Sequence, residues 1–199
     1  MTRVLVLLVA LLLAGCSATP KQPELAVPAT QQEQDRMSAS ELQSTWWTWL
    51  ATQTRESNPV TDTSGRFCSR DQPKDVWLLA GSTGGRVDRQ CRVPADKPLL
   101  VPAINSLECG SFMAGAKGEV LLDDVAQELI RIESVAFSFD GVAGNVVNGS
   151  AGRVNAVGCG LWAWIPAPKS GDHTLVVRGS SGKATGETHY RLIVGADLG

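Results

Sequence analysis

The sequence lacks a long apolar run: its longest, residues 4–15, counts 12, where a helix crossing the hydrocarbon layer needs about 20. It lacks an excess of either charge. With 18 Lys and Arg against 20 Asp and Glu the net charge is −2, so the basic footprint of a nucleic-acid binder is missing. No G-x-S-x-G pentapeptide is present to raise a serine nucleophile on an elbow. The glycine-rich stretch around Gly81-Ser82-Thr83-Gly84-Gly85 lacks the lysine of a phosphate-binding loop and reads as a turn. Cysteines are few, 5 in all, and none stand at C-x₂₋₄-C spacing; the two histidines, His173 and His189, lie elsewhere. That spacing excludes a zinc knuckle, and no metal or cofactor is expected.

What is present begins at the N-terminus. Arg3, the apolar stretch and the small residues that close it read as an export signal. Leu13-Ala14-Gly15-Cys16 resembles the lipobox of bacterial lipoproteins. The resemblance implies a signal peptide over 1–15, cleavage before Cys16, and acylation of Cys16 by diacylglyceryl and fatty-acyl (palmitate) groups. Several chains on one residue make a stable anchor where a single chain binds only marginally. Ser17 follows instead of aspartate, which in Gram-negative lipoproteins implies sorting to the outer membrane. Residues 16–37 hold three prolines, many Gln and Thr, and no aromatic. Such a composition does not fold; as a flexible tether it reaches on the order of 25 Å.

Residues 38–199 are expected to form a single domain. Its four cysteines, Cys68, Cys91, Cys109 and Cys159, read as two disulfides in an exported chain, with three pairings open. Cys68–Cys91 with Cys109–Cys159 is preferred, because segments 76–79 and 86–89 flank a glycine turn and suggest a hairpin that brings Cys91 back near Cys68.

Ser38-Ala39-Ser40-Glu41 is a capping box. It opens a helix with Leu42, Trp46, Trp49 and Leu50 on one apolar stripe. The tryptophans are expected in the core in preference to a sugar-stacking platform. A second, central helix is expected over 119–132, where Leu121, Val125, Leu129 and Ile132 fall at helical spacing and Asp123-Asp124 lie near its start. Leu99-Leu100-Val101, between prolines, suits a strand near a sheet edge. From Val135 the period becomes two, and segments 135–139, 161–165, 174–178 and 188–194 alternate with Gly-, Pro- and Ser-rich turns. The expected fold is mainly β: an antiparallel β-sandwich, immunoglobulin-like or jelly-roll-like, with an N-terminal and a central helix. SVAFSFDG and SGDHTLVV resemble strand-turn pieces of bacterial immunoglobulin-like domains.

Larger motifs are Trp46-Trp47-Thr48-Trp49, Asp62-x-x-Gly65-x-x-Cys68, Val76-Trp77-Leu78-Leu79-Ala80-Gly81, Arg89-x-Cys91-x-Val93-Pro94, Pro102-x-x-Asn105 and Gly171-x-His173-Thr174. Together they resemble a family of uncharacterised exported bacterial proteins over most of 46–194. The resemblance implies export and one domain, and carries no activity. Asp62, Arg89, Asn105 and Glu108 sit in or beside turn and proline motifs; they are candidates to line a ligand cleft, or to satisfy buried backbone groups. His173 and His189 are candidates for a general base only if a partner lies within hydrogen-bond reach, and otherwise are structural.

These readings favour a non-enzymatic lipoprotein held to the membrane through Cys16, facing the periplasm at the outer membrane, with a protein partner there and no nucleic acid. An immunity-type lipoprotein neutralising a periplasm-targeted toxin is one alternative. An enzyme on envelope polymers working through Asp62, Glu108 or His173 is the other.

Overall fold

The structure, a computed structural model, describes residues 36–195 of the 199. The expected signal peptide over 1–15, Cys16 and the expected tether up to residue 35 lie outside the described residues. Elements run α1 (Ala39–Ala51), a 3₁₀ turn (Arg55–Ser57), β1 (Trp77–Leu78), β2 (Arg86–Pro94), β3 (Leu99–Ser106), α2 (Gly110–Gly115), β4 (Lys117–Leu122), β5 (Val125–Ala126), β6 (Leu129–Gly141), β7 (Gly152–Ile165), β8 (Gly171–Ser181) and β9 (Ala184–Gly195). A four-stranded sheet of order β1-β3-β7-β6 faces a five-stranded sheet of order β2-β9-β8-β4-β5. The sandwich is mainly antiparallel, with two parallel pairs, β1–β3 and β2–β9.

Three layers result, because the four-stranded sheet is covered on both faces. Between the sheets lie Leu79, Leu99, Val101, Leu161, Ala163, Leu175 and Leu192; between the sheet and α1 lie Leu78, Leu100, Phe139 and Trp162 with Trp46, Trp49 and Leu50. Double coverage explains the continuous burial of 76–80 and 158–163, where a half-exposed strand would alternate.

Ser38 caps α1 as expected: its hydroxyl accepts from the Glu41 N–H, and the Glu41 carboxylate accepts from the Ser38 N–H. Trp46 meets Trp162 edge-on at 5.4 Å, and the indole N–H groups of Trp46, Trp47 and Trp49 donate to Leu79 O, Gln43 Oε1 and Arg70 O. The opposite side of the helix guards β6, the outermost strand of its sheet. Ser40 and Ser44 hydroxyls donate to the carbonyls of Ala136 and Ser138 at 3.1 and 2.6 Å. Thr48 Oγ1 accepts from the Asp140 N–H at 3.3 Å. A four-residue step on a helix rises about 6 Å and a two-residue step on a strand about 6.7 Å, so the two rows stay in register. They occupy edge groups that would otherwise pair with another chain.

Two expectations are corrected. The helix over 119–132 does not form; that segment is β4, the two-residue β5 and the start of β6, and the second helix is α2. Asp123 and Asp124 have φ of 49° and 64°, the left-handed turn that closes β4 onto β5, so the four-residue apolar spacing there joins residues on separate strands. Nor do 76–79 and 86–89 form a hairpin: β1 joins the four-stranded sheet and β2 the five-stranded one. The disulfides are nevertheless Cys68–Cys91 and Cys109–Cys159, with Cα separations of 5.9 and 5.6 Å.

Candidate functional site: a cleft at the open edge of β3

The edge of β3 is left open by a buried arginine. The Leu79 N–H donates to Leu100 O at 3.0 Å, and there the pairing of this segment with β3 ends. The next carbonyl, Ala80, is drawn to the other sheet, accepting from Arg89 Nη1 and from Tyr190 Oη, both at 2.7 Å; Gly81 O accepts from the same Arg89 nitrogen at 3.2 Å. Among the described residues no strand continues beside β3 beyond Leu100 on that side. Pro102 has no N–H to leave unsatisfied there.

β3 also carries a bulge. Its register with β7 slips between Pro102 and Ile104, so Ala103 is an extra residue. Ala103 presses on the facing sheet at Gly118 and Gly179, which lie side by side on β4 and β8. A Cβ at Gly118 would stand 2.7 Å from the Ala103 methyl, and one at Gly179 would overlap the Ala103 carbonyl. Glycine permits this approach, and bulges of this kind re-aim side chains beside sites.

Beside the bulge is a cleft of about 710 Å³. Residues 102–106 form one wall, Trp47, Leu50 and Phe112 the apolar surface, and Ser82 and Thr83 the turn opposite. Arg55, Glu108 and Lys183 also line it, and among the described residues none of the three joins an ion pair. Two buried polar atoms on its lining have no partner: Asn105 Nδ2 and Thr188 Oγ1. Thr188 is 0% exposed. Unpartnered buried groups are rare enough to call for a reason.

Of the four cleft candidates, Asn105 and Glu108 line this cleft, while Asp62 and Arg89 stand behind it. The Asp62 carboxylate accepts from the Ser64 N–H and hydroxyl, both at 2.9 Å, and from the Phe67 N–H at 3.0 Å. Burial opposes its ionisation, but these donors and the Arg89 charge outweigh burial and hold the carboxyl below its ordinary range. Arg89, 4% exposed, donates through Nε to Asp62 O at 2.7 Å and through Nη2 to Val60 O at 3.2 Å. Both side chains therefore fasten the 58–67 loop. Burial pushes the Tyr190 hydroxyl up from its ordinary value, so it stays a protonated donor to Ala80.

His173 and His189 lie on the five-stranded sheet outside the cleft. His173 Nδ1 is 2.6 Å from Asp123 and Nε2 is 2.8 Å from the Lys169 carbonyl; His189 Nε2 meets Glu187 at 2.5 Å. Among the described residues no three metal-ligating side chains gather, and no helix is long and apolar enough to cross a membrane. Thr188 and Tyr190 had no signal in the sequence beyond their place in a late strand, although Tyr190 is the one tyrosine of the chain. No protein-family model, curated protein or solved structure matches this chain.

Proposed function

We propose that this chain is a lipid-anchored envelope lipoprotein, held to the membrane through Cys16, that binds a partner protein in the periplasm through the β3 cleft without catalysing a reaction. The observation that carries this reading is the cleft itself: an open strand edge, an apolar wall and two unpartnered buried polar atoms in one place. Of the three side chains an enzyme reading names, Glu108 lines the cleft without an ion pair among the described residues, and the other two are engaged elsewhere. Asp62 is occupied by backbone and serine donors, and His173 by Asp123 and a carbonyl. Two disulfides suit an oxidising compartment.

The test is photocrosslinking in living cells from probes placed at Thr83 and Lys183 on the cleft, with probes at Val125 and Val157, both exposed and outside it, as controls. The expected result is a discrete protein adduct from the two cleft positions alone. Adducts from all four positions, or from none, would defeat the proposal. Recovery of a periplasm-targeted toxin in the adduct would select the immunity form of the same reading.

A further inference from the structure

We propose that the occupant of the cleft is an extended polypeptide segment that adds to the outer edge of β3 as a further strand, parallel to it and in line with β1. The proposal deepens the binding-module reading and rests on it. An unpaired strand edge presents N–H and C=O groups at the pitch of a strand, and another main chain is the group that matches them. The same edge of β3 already accepts one parallel strand: Trp77 and Leu78 pair with Leu99 and Leu100. The added segment continues that line past Gly81, which still lies against the Pro102 carbonyl while Arg89 and Tyr190 turn the Ala80 and Gly81 carbonyls to the other sheet.

The surroundings agree with this occupant. The part of β3 beyond Pro102, where Gly81 still touches the strand, ends at Ser106, a length of about 13 Å at the rise of a strand, which pairs with a short segment of comparable length. Asn105 Nδ2 is a buried donor without an acceptor, suited to a carbonyl of the incoming chain. Arg55 and Lys183 lie on the lining with a single carboxylate, Glu108. That balance favours a segment carrying an acidic side chain over an apolar one.

The test uses the full chain in detergent micelles and a displayed library of random linear peptides. Enriched peptides are synthesised and N-methylated at one backbone amide at a time, and binding is read by fluorescence anisotropy. Methylation at every second amide should weaken binding about tenfold, since it removes one main-chain hydrogen bond and adds a clash. Methylation at the amides between should leave binding nearly unchanged. Asn105→Ala should weaken every peptide about fivefold, the loss of one hydrogen bond, and Val157→Ala none.

Failure to enrich any peptide would overturn the proposal, as would a methylation profile without the two-residue period or indifference to Asn105→Ala. A concentration-dependent dimer that protects the β3 amides in place of peptide would overturn it too. If cells yield a cleft-specific adduct while the methylation profile shows no alternation, the binding module stands and strand addition falls.

Discussion

Replacing Arg89 by methionine should destabilise the fold by about 3–4 kcal/mol, a sum built from the bonds the guanidinium makes. Methionine keeps most of the aliphatic volume, so the loss is polar. The Asp62 carbonyl is buried and Arg89 Nε is its donor; left unsatisfied, it costs about 2 kcal/mol. The Val60 and Gly81 carbonyls are partly buried and water replaces some of their loss, leaving about 0.5–1 kcal/mol each. Ala80 retains its bond from Tyr190 and contributes little. Urea unfolding with a slope of about 2 kcal/mol/M should therefore show a midpoint lower by roughly 1.5–2 M. Arg89→Lys, which restores one or two of the donors, should lose about half as much. Hydrogen exchange should speed at residues 60–67 and 80–81 before the rest of the core. A midpoint shift under about 0.5 M for the methionine variant would refute the view that this side chain fastens the loop.

Other perturbations test separate parts. Opening Cys109–Cys159 by paired alanines should cost about 4 kcal/mol and opening Cys68–Cys91 about 3.5 kcal/mol, from sequence separations of 50 and 23; denaturant melts that reverse the order would contradict the loop-entropy basis. Ser40→Ala, Ser44→Ala and Thr48→Val combined should cost about 2–3 kcal/mol and produce concentration-dependent association by light scattering, because the β6 edge is uncovered. Gly179→Ala should cost about 3 kcal/mol through overlap with the Ala103 carbonyl, and an unchanged Tm would show that the bulge does not press on that sheet.

The His173–Asp123 pair gives a pH test. Its hydrogen bond to Asp123 raises His173 above its ordinary value, against the opposing effect of burial. The bonds from His173 and the Thr174 N–H hold Asp123 below its own. The histidine's contribution is complete below its unfolded pKa and fades as pH rises through the folded one; the aspartate's is complete above its unfolded pKa and fades as pH falls through the folded one. Both are complete between about pH 4 and 6.5. Asp123→Asn should therefore lower Tm most near pH 5.5 and least near pH 9, and equal losses at the two would remove the linkage.

Local signals with a single reading survived into three dimensions. The capping box set the start of α1, the tryptophan stripe became its buried face, and the late strand segments became β6 to β9, although 158–163 of β7 is buried throughout instead of alternating. The segment 119–132 failed because apolar residues at a spacing of four can come from a helix face or from strands joined by a tight turn, and two adjacent aspartates at positive φ are a less familiar turn than Asn-Gly. The pairing of Cys68 with Cys91 was legible, but not through a hairpin, since VWLLA is buried on both faces and belongs to the middle layer.

The site was half legible. Asn105 lies after a proline on a strand that ends at an edge and Glu108 in the loop just past it, and those positions are visible in the sequence. What opens the cleft is not, because Arg89 acts on carbonyls distant in the chain and a sequence does not show which carbonyls are buried. Ser40, Ser44 and Thr48 illustrate the same limit: polar residues at helical spacing read as a solvated face, while here they close a sheet edge.

The proposed function rests on an acylated Cys16, and the mass of the protein recovered from its host's membranes tests that most directly. Removal of residues 1–15 should leave 184 of the 199 residues, with the N-terminal cysteine carrying a diacylglyceryl thioether and an amide-linked acyl chain. A polypeptide beginning elsewhere, or one whose Cys16 is a free thiol, would contradict it.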